Sequence, residues 1–308
     1  MFTVQEYRTN GGIIQYRREN LTDLRCRIST ERIKRNINSA PAMTYSPDQC
    51  PFCPEQVMTA TPTFKDGSRI LRGESITFPN LYPFARDHTV TVITQAHSPS
   101  AFTHRQLKDA FEAQLDALKH LEGYLSINWN YLPSSGASIS HPHLQGLVDD
   151  GPSALVERYL IGGHKYYLRN KTVYWEEFRD KEVGSERYLF GEEIPWIANP
   201  VPLGEREVRG ILPICTPGEF EPYLDEFVQG FREVLRFYRR LGHQAFNASL
   251  FFGKSRYDSR FRAFCSCIAR INPNPQSISD TAFMERIHLE PVILTLPEEL
   301  AASYRNRE

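Results

Sequence analysis

Ser134-Ser135-Gly136-Ala137-Ser138-Ile139-Ser140-His141-Pro142-His143-Leu144-Gln145-Gly146 sets two imidazoles two residues apart behind a turn of small side chains. In extended backbone alternate side chains share a face. His141, His143 and Gln145 then point one way, and Pro142 and Leu144 the other. Pro142 has no N–H to offer a ladder, which predicts an edge or terminal strand. Two imidazoles on one face can divide the work, one binding a metal and the other attacking phosphorus. A neutral imidazole is available near pH 7, because its unperturbed pKa is about 6.5. Its attack would split one difficult transfer into two easier ones. The Gln145 amide could donate to a phosphoryl oxygen as charge develops there. The run 134–140, with Ser138 and Ser140 among its hydroxyls, lets an anion approach backbone N–H groups closely. Histidines in a turn are also ordinary polar surface residues, so the pair alone leaves both readings open.

Upstream, Cys50-Pro51-Phe52-Cys53 spaces two thiols so that both sulfurs can reach one ion. One such pair is half a tetrahedral site. His97, just after a predicted strand at 90–95, and His141 are the candidates for the other half. Thiolate and imidazole donors together suit zinc. Four protein donors leave no position for substrate, so this zinc would be structural. The alternative is a pair of buried thiols on a turn with no ion.

The wider chain bounds these readings. Its 308 residues suffice for one large core or two smaller ones. A formal charge of -1 gives no global attraction to nucleic acid or to an anionic membrane. No window approaches the roughly 18 apolar residues of a membrane span. The N-terminus has no basic start followed by an apolar run, so the expected location is cytoplasmic. Six cysteines in a chain this long do not read as a disulfide framework.

Strands are predicted at 68–78, 90–95 and 126–130, with an amphipathic helix at 104–123. Its stripe is Leu107, Phe111, Leu115, Leu118 and Leu121, and Thr103 is a suitable N-cap. The second half repeats the order, with strands at 207–214, 248–252 and 261–271. A helix at 222–241 carries Leu224, Phe227, Phe231, Leu235 and Tyr238 on one stripe. The expected fold class is therefore α+β, an internal duplication of one unit with the join in the polar stretch 146–190.

The segment Asn130–Gln145 resembles the active-site strand of the galactose-1-phosphate uridylyltransferase family, within the histidine-triad-like superfamily. That superfamily includes ADP-sugar phosphorylases and is related to dinucleoside-polyphosphate phosphorylases. The resemblance implies a tandem pair of histidine-triad-like halves, 1–160 and 161–308, with antiparallel sheets flanked by amphipathic helices. It implies a nucleotidyltransferase that moves a nucleoside monophosphate from a nucleotide sugar, or another nucleotide, to a sugar 1-phosphate or similar phosphate acceptor. His143 would be the residue that becomes nucleotidylated, and Gln145 would contact the transferred phosphoryl group. Zinc would be held by Cys50, Cys53, His97 and His141. Asn130 would lie near the nucleotide phosphates. Phe78–Phe84 would line the base and ribose pocket, with Asn80 on the ribose. Arg32 and Arg35 match an N-terminal arginine motif, and their forked donors suit phosphate. A homodimer is implied as well. The rival readings are an ADP-sugar or dinucleoside-polyphosphate phosphorylase and a catalytically inactive nucleotide-binding regulatory protein.

Three departures carry expectations of their own. Leu132 stands where the family usually has glycine, and Leu132-Pro133 predicts a bulkier or shifted phosphate loop. Phe264-Cys265-Ser266-Cys267 replaces a second metal-binding histidine pair, and reads as a soft-ion site or as core packing. Ile287 and His288 stand where the family has an aromatic residue and a glutamate, in the segment that holds the hexose phosphate.

Overall fold

In the computed structural model the described residues are 2–9, 12–19, 25–31, 49–185, 187–200, 203–204, 206–255, 258, 260–270, 281–290 and 292–293. The chain opens with β1 (Phe2–Thr9), β2 (Gly12–Glu19) and β3 (Arg25–Ile28). Next come α1 (Pro54–Ala60), β4 (Ile70–Arg72), β5 (Ser75–Pro79), β6 (Asp87–Val92), α2 (His104–Leu118), β7 (Tyr124–Tyr131) and β8 (His143–Asp149). Two helices follow, α3 (Ala154–Asn170) and α4 (Tyr174–Val183). The same order of elements then recurs: β9 (Tyr188–Phe190), β10 (Trp196–Ala198), β11 (Val208–Ile211), α5 (Leu224–Arg240), β12 (Phe246–Phe251) and β13 (Phe264–Ala269). A final strand, β14 (Val292–Ile293), pairs with β3 in parallel.

Ten of these strands form one antiparallel sheet in the order β4-β5-β6-β8-β7-β12-β13-β11-β10-β9. The two halves meet at β7 and β12, and each half has its helix between its third and fourth strands. The registers agree as well. Asn128 faces Gln145 in the first half, and Ser249 faces Ser266 in the second. The duplicated α+β organisation expected from the periodicity is thus present as one continuous sheet. The division at residues 160 and 161 falls inside α3.

Helices α2 and α5 cover one face. Thr103 and Gln106 form a capping box that starts α2. Leu107, Phe111, Leu115 and Leu118 are buried; Leu121 lies beyond the helix and is exposed. The stripe of α5 is buried throughout. Ile127, Trp129, Leu144, Cys265 and Cys267 meet these helices in the main core. Cys265 and Cys267, with sulfurs 3.8 Å apart, are therefore core residues on the helix-covered face.

The opposite face carries the polar row that includes His143 and Gln145. Over the second half it is covered by α3, α4 and the helical turn Met284–His288, with Trp175 stacked on Phe264. The histidine segment is not an edge. β8 lies between β6 and β7. Pro142 is accommodated because it stands one residue ahead of the ladder, where only its carbonyl is used, accepting from Ile93 N–H at 3.0 Å. Among the described residues no helix is long and apolar enough to cross a membrane.

Candidate active site and metal centre

The Cys loop folds around its own first sulfur. Phe52 N–H points at Cys50 Sγ at 3.4 Å, and Cys53 N–H donates to the Cys50 carbonyl at 3.2 Å. Cys53 is the N-cap of α1. His141 reaches this loop from the start of β8, and His97 from the segment after β6. Cys53 Sγ lies 3.4 Å from His97 Nδ1 and 3.5 Å from His141 Nδ1, and Cys50 Sγ lies 3.8 Å from His141 Nδ1. All four donor atoms lie within 4.8 Å of one another. A tetrahedral ion with bonds of about 2.3 Å to sulfur and 2.0–2.1 Å to nitrogen places S and N about 3.6 Å apart. The four residues therefore fit a metal ion as they stand. His141 Nε2–H donates to the Thr94 carbonyl at 2.7 Å, which leaves the lone pair of Nδ1 available to an ion. Burial holds the His141 imidazole below its usual pKa, as the nearby His97 does to a lesser degree. That favours the neutral ring a metal needs.

His143, the first residue of β8, is 6% exposed. Its Nδ1 lies 2.8 Å from the His141 carbonyl. A carbonyl only accepts, so Nδ1 carries the proton and the lone pair of the neutral ring lies on Nε2. Phe52 packs edge-on against the His143 ring at 5.1 Å. The Cys loop thus touches the ring directly, and His141 of the same cluster supplies the carbonyl that orients it.

Gln145 Oε1 lies 3.1 Å from His88 Nε2, which is 2.9 Å from Asn80 Nδ2. Asn80 Oδ1 accepts from Tyr82 N–H at 2.8 Å. The structure therefore brings Asn80 and Gln145 together through His88, a buried residue that the motif reading missed. Its signal was the strand β6, which starts at Asp87, three residues earlier than expected, and turns His88 to the site face opposite Leu147. Phe78 does not face this pocket; it packs on Phe52 at 5.7 Å in the cluster around the Cys loop. Phe84 lies beside the His88 ring at 4.4 Å.

Asn130 accepts from Asn247 Nδ2 at 2.7 Å. Ser138 is exposed and Ser140 half-buried on the loop before His141. Two buried hydroxyls lie in the preceding turn: Ser135 Oγ–H points at the carbonyls of Tyr131 and Leu132 at 2.7 and 2.8 Å, and Ser134 Oγ has no hydrogen-bond partner among the described residues. Leu132 does not escape the backbone that glycine favours. It takes φ 72° and ψ 158°, and Gly136 follows at φ 88° against Ala282 and Thr281. Arg32 and Arg35 lie outside the described residues. Ile287 and His288 are buried. His288 Nε2 donates to Asn128 Oδ1 at 2.9 Å, and its ring packs on Phe251. Neither presents its side chain as a sugar-binding group.

No protein-family model matches the chain. An uncharacterised protein of Archaeoglobus fulgidus is 31% identical over 269 residues, covering 83% of this chain and 80% of that protein. Among solved structures, a uridylyltransferase is similar with a TM-score of 0.65 at 15% identity, covering 93% of this chain and 96% of that one. An ADP-glucose phosphorylase from Arabidopsis thaliana, solved with ADP-glucose bound, is similar with a TM-score of 0.62 at 14% identity, covering 96% and 99%. A galT-like protein from the same plant gives 0.60 at 16% identity, covering 95% and 98%. At these identities the solved structures show the shared fold.

Proposed function

From the premise that this chain belongs to one family with the Archaeoglobus fulgidus protein and has the fold of the histidine-triad-like uridylyltransferases, we propose that it is a nucleotidyltransferase working through a nucleotidyl-histidine. The observation that carries this reading is the His143 ring, its Nδ1 proton held by the His141 carbonyl and its lone pair placed on Nε2.

In this reading a nucleotide sugar lies along the site face of β6, β7 and β8, with Asn80 toward the ribose and Arg32 and Arg35 toward the phosphates. Nε2 of His143 attacks the α-phosphorus. An N–P bond forms, and the bond to the leaving sugar 1-phosphate breaks, its electron pair departing on oxygen. An incoming phosphate then attacks the same phosphorus and returns the lone pair to Nε2. That phosphate is already anionic, so no general base is assigned. Asn130 and Gln145 offer amide donors to the transferring group, whose charge stabilisation and alignment account for most of the catalysis.

The bound metal in this reading is zinc, whose role is to hold Cys50, Cys53, His97 and His141 together. It is structural, because thiolates and imidazoles fill its coordination. A homodimer in the cytoplasm belongs to the same reading.

Phosphorolysis, with inorganic phosphate as the acceptor, is the second reading. It is favoured by the burial of Ile287 and His288 in the segment where a hexose phosphate would be held.

Intact-protein mass spectrometry after incubation with UDP-glucose, ADP-glucose or diadenosine tetraphosphate tests the proposal. Wild type should gain the mass of one nucleoside monophosphate, and His143→Asn should gain none while keeping its fold. Equal labelling of the two proteins would remove His143 from the mechanism. No labelling by any of the three nucleotides would favour a regulatory protein without turnover. Release of the label by inorganic phosphate rather than by a sugar 1-phosphate would select the phosphorylase.

A further inference from the structure

We propose that Asn247, in the second half of the chain, is a positioning residue for the transfer site in the first. It sets the rotation of the Asn130 amide so that the NH2 group of Asn130 faces the phosphoryl group. This rests on the transfer chemistry proposed above.

Asn247 lies on β12 opposite Asn130 on β7 and is 0% exposed. Its own amide can sit only one way round. Nδ2 lies 2.8 Å from the Ser135 carbonyl, which only accepts. Oδ1 lies 3.3 Å from Arg270 Nη1, which only donates. The other Nδ2 hydrogen then points at Asn130 across 2.7 Å and must meet oxygen. Asn130 is held with Oδ1 toward β12 and its NH2 turned away. Among the described residues that NH2 has no hydrogen-bond partner.

Asn130 lies two residues beyond Asn128 on β7, and His143 two residues before Gln145 on β8. Asn128 faces Gln145 at the last pair of that ladder, so alternation sets Asn130 and His143 on the same face, one step beyond it. An anion bound beside His143 therefore meets N–H from Asn130. Rotating that amide by half a turn would present a carbonyl oxygen to the phosphate instead. The Ser135 contact also ties the turn that begins at Leu132 to the second half of the sheet.

The test is the single-turnover rate at which saturating nucleotide labels His143, using whichever of UDP-glucose, ADP-glucose and diadenosine tetraphosphate labels wild type. Thermal unfolding serves as the control for folding. Asn247→Ala should slow labelling about 10-fold, and Asn247→Asp about 100-fold. The new carboxylate draws the Asn130 NH2 toward itself and turns Oδ1 to the phosphate. In an Asn130→Ala background, Asn247→Ala should have less than about a twofold further effect. A merely structural role would lower the rate in both backgrounds. Wild-type rates in Asn247→Ala and Asn247→Asp, or independent losses in the double variant, would overturn the proposal. If Asn247→Asp fails to fold, Asn247→Ala and the double variant decide. Failure of wild type to label overturns the transfer reading, and this proposal with it. It is told apart because the unmodified protein is then the one that fails.

Discussion

At Leu132 the backbone takes φ 72° and ψ 158°, a region left almost wholly to glycine. A side chain there costs on the order of 1–3 kcal/mol. The residue stays because the turn is held on both sides. The Leu132 carbonyl accepts from Ser135 N–H and Oγ–H, and Asn247 grips Ser135. Leu132→Gly should therefore be more stable than Leu132→Ala by about 1 kcal/mol in urea unfolding, reversing the ordinary order of these two residues. Alanine proving the more stable would place the strain elsewhere. At the Cys and His cluster, His141→Ala removes both a candidate ligand atom and the ring that bonds Thr94. Metal analysis should find well under one zinc per chain, and the melting temperature should fall. One zinc in both proteins would contradict a ligand role. The Cys pair could be read in the sequence from its spacing, and His141 became a candidate through its place beside His143 and through the family resemblance. His88 and Asn247 were not legible, because each acquires its partners only across neighbouring strands.

Among the elements, the two amphipathic helices could be read from their stripes, since a long helix with one apolar face has few other ways to bury it. The histidine segment was recognised by its residues but read as an edge or terminal strand; β8 is interior to the sheet, and Pro142 stands one position before its ladder begins. The stretch 146–190 read as a polar join. It holds the end of β8, the short strand β9 and two helices, whose buried faces are narrow: Leu155, Val156 and Gly163 in α3, and Trp175 and Glu182 in α4. Where α2 crosses β8, glycine is required. A Cβ at Gly146 would collide with the amide of Gln114 and with Leu118. The second half has a close approach of another kind, with the glycine on the helix: Gly230 of α5 lies against Trp196 on β10. Gly146→Ala should cost about 1–3 kcal/mol by overpacking, seen as a lower urea midpoint. An unchanged midpoint would mean that the helix can lift off the sheet without loss.

Across the whole molecule, Arg27 on β3 ties the N-terminal strands to the main sheet and to the C-terminal segment. Its guanidinium meets Asp149 at 2.6 Å, Glu290 at 3.1 Å, Tyr16 at 3.0 Å and the Phe84 carbonyl at 3.3 Å. Burial by itself would loosen its proton, but Asp149, Tyr16 and Glu290 outweigh that and keep it charged. Arg27→Met would leave two buried carboxylates without their cation and should cost about 3–5 kcal/mol. A loss below about 1 kcal/mol in equilibrium unfolding would show that the carboxylates find other partners. The equivalent of His143 in the second half is Phe264, the first residue of β13, packed under Trp175. Only the first half then has an imidazole at that position, and the second half brings Asn247 to Asn130 across the β7–β12 pairing. Alternation along a strand leaves this arrangement no tolerance. With β7 held by β8, a one-residue slip of β12 at the seam would swing Asn247 to the helix side and away from Asn130. On the transfer chemistry proposed above, the accuracy with which the two repeats are stitched together is itself a determinant of rate, as heritable as any side chain that touches the nucleotide.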